Sequence, residues 1–499
     1  MIPVLSAEET RQADAYTIQN EPIASIDLME RASHAFANKF AELAGRGHRL
    51  YVFCGTGNNG GDGLAVSRLL IKQGYDVRVF VAGSPEKGSP DFKTNLERLN
   101  SITSPGFIDS ESHFPRLDDQ DIVIDALFGS GLSRPLEGIY ADLVSHINGS
   151  RTKTYSIDIA SGLFADQPPQ GTAIIQPLHT ISFQCPKASF FHPASKDYTG
   201  QWHVVDIGLD QKFIDSLGVT QFYSEPEDFT KLVPRRSKFD HKGDAGKVKI
   251  IAGSKGKIGA AVLCARATLR TGSGLVFVQT PVCGRDVLQG AVPEAVVIED
   301  KNMEVITGIE PGDYDAIALG PGLDTREETR KAIRKFLEKT SAPIIIDADG
   351  LNILSIEKDL LKKAPAQSIL TPHPGEFRRL VGDWSNDFEK ITLLGKFAMD
   401  HQFNVVLKGA FSIVCSSTGD IYYNCSGNPG MATGGSGDVL TGIIASLLGQ
   451  IKRPFDALRL GVYLHGLAGD LAADKIGTNG MIASDIIDFL PSAVKKMQF

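Results

Sequence analysis

The sequence lacks an excess of positive charge and any long apolar run. Its 499 residues carry a formal net charge of -8, with 51 Lys and Arg against 59 Asp and Glu. No bulk positive field therefore attracts nucleic acid or anionic lipid. The most apolar segment, 439–448, contains Thr441 and Gly442 and is much shorter than the roughly 18 residues of a membrane span. We expect neither nucleic acid nor a membrane as a partner.

Paired cysteines and a leader pattern are also missing. The six cysteines are scattered without a CxxC spacing, and a chain of this length needs no disulfide staples. The opening, MIPVLSAEET, has no basic region followed by an apolar run, as a secretory signal would. We therefore expect reduced core thiols and a cytoplasmic protein.

What is present is an alternation of short apolar strands with helices, in two series. The strands of the first series are predicted at 50–54, 77–82, 122–125 and 156–159. A second series runs from 248 to 409, and a polar, proline-containing segment at 210–245 separates the two. Such alternation is typical of parallel sheets wrapped by helices. We predict two doubly wound, three-layer α/β domains, 1–215 and 225–499.

A glycine-rich loop, GTGNNGGDG, follows the first strand from Gly55 to Gly63. Backbone N–H groups and the helix dipole at such a turn attract phosphate. A dinucleotide-binding fold would also place an acidic residue at the end of the second strand, where this chain has 80–83, FVAG. The loop therefore predicts an anion cradle without favouring an NAD-dependent dehydrogenase. A purely structural turn is the alternative.

Acidic residues follow two later strands of the first series. Asp125 ends the strand IVID, and Asp158 lies in SIDIASG, three residues before Ser161. Each carboxylate alone could simply cap the turn that follows it. Together with Asn59 of the glycine-rich loop, these side chains supply oxygen ligands that suit a hard cation.

The motifs NNGGDG, DALFGSGLSRP and SIDIASGL resemble the NAD(P)H-hydrate epimerase domain over about residues 1–215. The resemblance implies that potassium is bound by Asn59, Asp125 and Ser161, and that Asp158 is the catalytic acid/base. The implied substrate-binding set consists of Asn58, Asn59, Gly60, Gly61, Asp62, Gly129, Ser130, Gly131, Leu132, Ser133, Arg134, Pro135 and Asp158.

A second constellation lies near the C-terminus. The turn GGSGD, 434–438, opens an apolar helix, so its N–H groups could bind phosphate while Asp438 takes a hydroxyl proton. Helix capping is the alternative for Asp438. Lys408 in KGAFS could hold a nucleotide phosphate or be a solvated side chain. His373 lies between two prolines in TPHPGE, and on its own it would be a structural histidine.

The motifs HKGDAG, TPHPGE, KGAFS and GGSGD resemble the ADP-dependent NAD(P)H-hydrate dehydratase domain of the ribokinase-like superfamily over about 225–499. This resemblance implies ADP as co-substrate, magnesium, and Asp438 as catalytic base. The implied substrate contacts are Ala260, Gly322, His373 and Asp438. The implied nucleotide-binding residues are Lys408, Gly409, Ala410, Phe411, Ser412 and Gly437.

Together the resemblances imply a Rossmann-like domain followed by a ribokinase-like domain in a bifunctional enzyme. It would epimerise the R and S forms of NADH hydrate and NADPH hydrate and dehydrate the S form with ADP, giving NAD(P)H, AMP and phosphate. We also expect a homo-oligomer. Two alternatives stay open: a small-alcohol or vitamin-precursor kinase with a nucleotide-binding N-terminal domain, and a non-catalytic nucleotide-binding or scaffold protein. The residues alone leave both ADP and ATP open as the phosphoryl donor.

Overall fold

A computed structural model describes residues 1–498 of the chain. They divide into two compact units: the first is Ile2–Gln221, and the second begins at Phe222 and includes Met1. The division falls inside the polar segment 210–245. Within residues 1–498, no helix is long and apolar enough to cross a membrane.

The first unit is a parallel sheet with helices on both faces. The unit begins with a two-residue strand, β1 (Ile2–Pro3), which is not part of this sheet. The sheet consists of β2 (Arg49–Cys54), β3 (Asp76–Ala82), β4 (Gly106–Ile108), β5 (Ile122–Ala126), β6 (Lys153–Ile157), β7 (His179–Phe183) and β8 (Gln201–Val205). Its helices are α1 (Ala7–Asn20), α2 (Ser25–Ala44), α3 (Asn58–Lys72), α4 (Pro90–Asn100), α5 (Ile139–Gly149), α6 (Lys196–Thr199) and α7 (Gln211–Ser216). The strand β9 (Gln221–Tyr223) spans the division between the units.

The strand order in this sheet is β4-β3-β2-β5-β6-β7-β8, and the pairings are parallel. The chain runs outward from β2 to β4 and then returns to β5 on the other side of β2. On one face Phe36 and Phe40 of α2 pack into the core, and on the other Leu143 and Ile147 of α5 do so. The result is the predicted doubly wound, three-layer arrangement.

Local signals set the helix boundaries. Ser6 and Glu9 form the capping box that starts α1, as their spacing predicts. The sequence predicts that the helix between the first two strands of the βαβ unit begins at Leu64. In the structure this helix, α3, begins at Asn58, inside the glycine-rich loop. The early start is possible because the loop glycines remove clashes: a Cβ on Gly60 would lie 1.8 Å from the Gly55 carbonyl oxygen.

The second unit contains a larger sheet. Its strands are β10 (Lys247–Ile251), β11 (Leu275–Thr280), β12 (Val296–Glu299), β13 (Ala316–Leu319), β14 (Ile345–Ile346), β15 (Ile369–Leu370), β16 (Asn404–Leu407), β17 (Ile413–Cys415) and β18 (Ile421–Tyr423). Its helices are α8 (Ile258–Arg270), α9 (Arg285–Ala291), α10 (Glu327–Leu337), α11 (Ala348–Ile356), α12 (Pro374–Val381), α13 (Asp387–His401), α14 (Ser436–Ile451), α15 (Pro454–Ile476) and α16 (Ala483–Gln498).

The order in this sheet is β18-β17-β16-β15-β14-β13-β10-β11-β12. The strands from β16 to β12 are parallel, and β17 and β18 pair antiparallel. The apolar helix predicted at the C-terminus is α14, which buries Val439, Ile443 and Leu447 in the main core of this unit. The two doubly wound sheets confirm the predicted fold class.

The contact between α14 and α8 depends on a glycine. A Cβ on Gly442 would lie 2.3 Å from the Cys264 carbonyl oxygen, and backbone cannot move aside as a flexible side chain can. We expect Gly442→Ala to lower the free energy of unfolding by about 1–3 kcal/mol, as overpacking does. Urea unfolding followed by Trp384, the only tryptophan after residue 221, measures this in a Trp202→Phe background.

The matched control is Gly290→Ala. A Cβ on Gly290 in α9 would meet nothing within 4 Å, and alanine is favoured over glycine in a helix by up to about 1 kcal/mol. Equal stability changes for the two variants would show that the α8–α14 contact tolerates a wider spacing.

Candidate active sites

The first unit has a cavity of about 530 Å³ at the carboxyl edge of its sheet. It lies where the strand order reverses between β2 and β5, the position at which open α/β sheets bind ligands. Its lining comprises Thr10, Arg11, Asp14, Thr56, Gly57, Asn58, Asn59, Asp62, Leu127, Phe128, Gly129, Ser130, Gly131, Leu132, Ser133, Arg134, Asp158, Phe183, Gln184, Ile207 and Leu209. Most of the predicted epimerase substrate set therefore lies around one cavity. Gly60, Gly61 and Pro135 lie outside the lining.

The N-terminus of α3 forms one wall of this first-unit cavity. Because Gly57 is the residue before the helix, the N–H groups of its first turn are free of intrahelical partners. Close packing of α3 on the sheet requires Gly63, whose Cβ would lie 2.5 Å from the Ala126 Cβ. The glycine-rich loop therefore forms both a structural turn and a helix start with free N–H groups, the arrangement that anions favour.

Asp125 is wholly buried on β5 and lies outside the cavity lining, of which its hydrogen-bond partner Leu127 is part. Its Oδ1 accepts from the Ser161 hydroxyl (2.5 Å) and the Leu127 N–H (3.3 Å). Its Oδ2 accepts from the Ser156 hydroxyl (2.8 Å) and the Ser161 N–H (2.9 Å). Burial raises the pKa of Asp125, while these hydrogen bonds oppose that rise. The hydrogen bond from the Leu127 N–H caps the turn after β5. This is the structural alternative that the sequence analysis left open for Asp125.

Asp158 lies at the cavity beside a buried lysine that the sequence analysis missed. Lys187 Nζ is 2.9 Å from Asp158 Oδ1, and the Lys187 side chain is only 2% exposed. The same Oδ1 accepts from the Phe183 N–H (3.1 Å) and the Ser182 hydroxyl (3.3 Å). Asp158 adopts a left-handed backbone conformation, φ 65°, which aspartate tolerates better than most residues. Lys187 follows the next strand in QCPK, and nothing in that stretch alone signals a site.

Two further carboxylates face the first-unit cavity. Burial, reinforced by the charge of Asp158, raises the pKa of Asp14 to about 6, against the opposing effect of Lys187. Burial is also the largest cause of the raised pKa of Asp62, followed by the charges of Asp158 and Asp14. Asp62 belongs to the predicted set, whereas Asp14 lies on α1, outside every motif that the sequence analysis used.

The second unit has a cavity of about 730 Å³ beyond the carboxyl ends of its central strands. Its lining comprises Asp347, Ala348, His373, Lys408, Gly409, Ala410, Ser412, Asn424, Ser426, Gly427, Asn428, Pro429, Met431, Ala432, Gly435, Ser436, Gly437, Asp438, Leu440, Val462, His465 and Gly466. Most of the predicted nucleotide-binding residues lie here with Asp438 and His373; Phe411 is outside the lining. Gly322 and Ala260 also lie outside it but are neighbours, because a Cβ on Gly322 would lie 3.2 Å from the Ala260 Cβ.

Asp438 lies in the first turn of α14. Burial raises its pKa to about 7; the charge of Asp347 adds to the shift, and Lys408 opposes it. A carboxyl with this pKa exchanges protons near neutral pH, the range in which a general base is most effective. Within residues 1–498 no hydrogen bond or ion pair engages this carboxylate. It is therefore free to act on a ligand.

Lys408 is a partly buried, paired side chain, 20% exposed, rather than a freely solvated one. Its Nζ lies 3.0 Å from Asp347 Oδ1 and 3.9 Å from Glu376 Oε2. Burial disfavours the charged form, but the two carboxylates outweigh it, so the pKa of Lys408 is raised. Asp347 also accepts from the hydroxyls of Thr371 (2.6 Å) and Thr441 (2.7 Å). The ammonium is therefore fixed at the cavity.

His373 has a structural role at the cavity edge. Its Nδ1 accepts from the N–H groups of Gly375 (3.0 Å) and Glu376 (3.4 Å), which caps α12. With Nδ1 an acceptor, the neutral ring carries its proton on Nε2. A second histidine, His465, was missed by the sequence analysis. Burial lowers the pKa of His465 to about 4, so its ring is neutral at pH 7.

Comparison with known proteins agrees with this geometry. The NAD(P)H-hydrate dehydratase family matches residues 248–492, and the YjeF-related protein N-terminus family matches residues 25–189. The bifunctional NAD(P)H-hydrate repair enzyme Nnr of Moorella thermoacetica is 35% identical over 528 residues, covering 99% of this chain and 97% of that protein. The enzyme of the same name from Escherichia coli is 34% identical over 490 residues, covering 98% and 93%.

A crystal structure of a ribokinase-like superfamily protein from Enterococcus faecalis aligns with a TM-score of 0.50 and 26% identity, covering 56% of this chain and 98% of that one. The fold and the two cavities define a two-site α/β enzyme whose second unit is ribokinase-like. Since relatives at least 30% identical match nearly its whole length, the chain belongs to the family of bifunctional NAD(P)H-hydrate repair enzymes. The resemblance inferred from the motifs is confirmed.

The ion pair at the second-unit cavity generates a stability prediction. Lys408→Met leaves the buried Asp347 carboxylate without its cation, and breaking one side of a fully buried pair costs about 3–5 kcal/mol. Because Lys408 is 20% exposed, we expect a loss below that range in the urea unfolding followed by Trp384. The double variant Lys408→Met/Asp347→Asn, which removes the orphaned charge, should recover part of it. A double variant no more stable than the single one would show that the charge is not the cause.

Proposed function

We propose that the two units carry two steps in the repair of hydrated nicotinamide nucleotides. In the first-unit cavity, the R and S forms of NADH hydrate or NADPH hydrate are interconverted. In the second-unit cavity, the S form is dehydrated at the expense of ADP, giving NAD(P)H, AMP and phosphate. The observation that carries the proposal is that each unit has its own cavity, at which a carboxylate is paired with a lysine. We assign epimerisation to 1–215 and dehydration to 225–499.

Asp438 is the proposed base of the dehydratase. It takes the proton of the ring hydroxyl while that oxygen attacks the β-phosphorus of ADP, and AMP leaves with the electrons of the broken P–O bond. The ring nitrogen's lone pair then expels phosphate, and loss of a proton from the neighbouring carbon restores the double bond of NAD(P)H. Phosphorylation is useful because phosphate is a far better leaving group than hydroxide. His373, Ala260 and Gly322 are the other proposed substrate contacts.

The nucleotide is proposed to bind along the loop Lys408, Gly409, Ala410, Phe411 and Ser412 and at Gly437. A Cβ on Gly437 would lie 3.3 Å from Lys408 Nζ, so the ammonium lies against the N-terminus of α14. A lysine and free helix N–H groups at one place favour a phosphate there.

Magnesium fits this second-unit cavity by the chemistry of its donors. Within residues 1–498 no group of three or more His, Cys, Asp and Glu side chains is placed to hold a metal ion. Mg²⁺, however, is usually held by one or two carboxylates together with substrate phosphates. Asp347 and Asp438 line the cavity and would be those carboxylates. Bound magnesium would offset phosphate charge.

The Asp438→Asn variant tests the dehydratase assignment. General-base catalysis contributes about 10²–10⁴-fold, so we expect dehydration, measured as NADH absorbance from NADH hydrate and ADP, to fall by that factor. The base must be ionised, and its pKa is about 7. The wild-type rate should therefore rise with pH to a plateau above about 7, and the variant should lose this dependence.

Epimerisation by Asp438→Asn should equal that of the wild type, which tests the division of labour between the units. Asp313→Asn removes the same charge at an exposed position and serves as the control. Near-normal dehydration by folded Asp438→Asn would refute the role of Asp438. Phosphate retained on the product, instead of being released, would indicate a kinase.

In the first unit, the proposed site at the hydroxyl-bearing ring carbon contains Asp158, the acid/base candidate of the sequence analysis, with the loops Asn58–Asp62 and Gly129–Pro135 holding the nucleotide. Potassium is proposed at Asn59, Asp125 and Ser161. Their oxygens suit a hard cation, and within the described residues 1–498 no Lys or Arg pairs with the buried Asp125. Bound potassium would compensate that charge and tie the loop after β2 to those after β5 and β6.

Asp125→Asn tests the cation site, since it preserves the shape of the side chain and removes its charge. We expect wild-type epimerisation to rise when potassium replaces sodium at constant ionic strength, and the variant to lose this dependence while dehydrating normally. A wild-type rate that is indifferent to the cation would make Asp125 a turn cap only.

A further inference from the structure

Two of the three carboxyl groups that line the first-unit cavity, Asp158 and Asp14, are in opposite electrostatic situations. Asp158 is held by a cation: Lys187 Nζ and two other donors all bind its Oδ1. Asp14, on α1, faces the same cavity. Among residues 1–498 no hydrogen bond or ion pair engages the Asp14 carboxylate. When one of two neighbouring carboxyls is kept ionised and the other is not, the pair can divide acid/base and electrostatic work.

We propose that Asp14 is the proton-transferring catalytic residue of epimerisation and that Asp158 stays ionised to stabilise positive charge on the substrate. This inference rests on the proposed epimerase function and changes the role that the sequence suggests for Asp158. Burial and the negative charge of Asp158 both favour protonated Asp14, which suits a group that must begin as an acid.

The reaction balances with these two groups and water. Protonated Asp14 gives its proton to the ring hydroxyl, and the C–O bond breaks with both electrons going to the departing water. The ring nitrogen's lone pair forms an iminium, whose positive charge Asp158 stabilises. Water then adds to the other face of the ring carbon, and its proton returns to the Asp14 carboxylate. No oxidant or reductant is needed.

The charged surroundings of Asp14 come from several elements. Arg11 lies on α1 itself, Asp62 on α3, and Arg134 in the loop after β5, and all three line the cavity. Asp158 and Lys187 follow β6 and β7. The packed helix α7 carries Lys212 and Asp215, both exposed to solvent. Of these groups, Asp158 raises the pKa of Asp14 and Lys187 lowers it.

The test is the pH dependence of epimerisation by the full chain, with the uncatalysed rate subtracted. The wild-type rate should fall as pH rises above about 6, where Asp14 loses its proton. This fall is the alkaline limb of the pH–rate profile. Asp14→Asn should lower kcat by about 10²–10⁴-fold, remove this limb and leave dehydration unchanged. Asp158→Asn should slow the reaction but keep the limb, moved to lower pH because a charge that favours protonated Asp14 is gone.

The control is Asp27→Asn, an equal charge change at an exposed position on α2, which should behave as wild type. Asp14→Glu should restore part of the rate and the pH limb.

If Asp14→Asn does not fold, the predicted shift of the limb in Asp158→Asn still decides the question. An Asp14→Asn enzyme with near-normal rate and an unchanged pH limb, or an unmoved limb in Asp158→Asn, would overturn the inference. A wild-type chain that does not epimerise would instead refute the proposed function itself.

Discussion

The reversal of strand order beside the first strand of each sheet is the constraint on which both sites depend. At β2 and β5, and again at β10 and β13, successive loops leave the sheet in opposite directions and open a crevice between them. In the first unit this crevice is the cavity itself. In the second, Ala260 and Gly322 meet at the crevice, while the cavity extends past β14, β15 and β16. The second site is therefore spread over more strands, as a site for two reactants requires.

Burying carboxylates at these edges is costly unless each is compensated, and the chain does so in different ways. Asp347 has an ammonium, Lys408, and two hydroxyl donors. Asp158 has Lys187 together with a backbone N–H and a hydroxyl. Among the described residues, 1–498, Asp125 has only hydroxyl and backbone N–H donors. This difference is why potassium is proposed at Asp125 and not at Asp158 or Asp347.

Much of this arrangement could be predicted from the sequence because it is encoded locally. The glycine-rich turns, the strand-end aspartates and the capping box each depend on residues a few positions apart. Lys187 and Asp14 could not be found in this way, because their importance comes from meeting Asp158, which is 29 positions before Lys187 and 144 after Asp14. The start of α3 was missed for a related reason. Glycines predict a loop by propensity, and only their packing against the Gly55 backbone makes them helical.

The same electrostatic arrangement recurs in the two units although their sheets differ. In each cavity one carboxylate is paired with a lysine: Asp158 with the buried Lys187, and Asp347 with the partly buried Lys408. A second carboxyl nearby, Asp14 or Asp438, lacks such a direct pair in the part of the chain that the structure describes, and burial and the first carboxylate raise its pKa toward neutrality. The lysine holds one charge in place, and that charge makes the second carboxyl easier to protonate. The same arrangement, a lysine-paired carboxylate beside a second carboxyl of raised pKa, can therefore serve two different reactions at a ring hydroxyl. One is proton donation in the first unit, and the other is proton removal in the second.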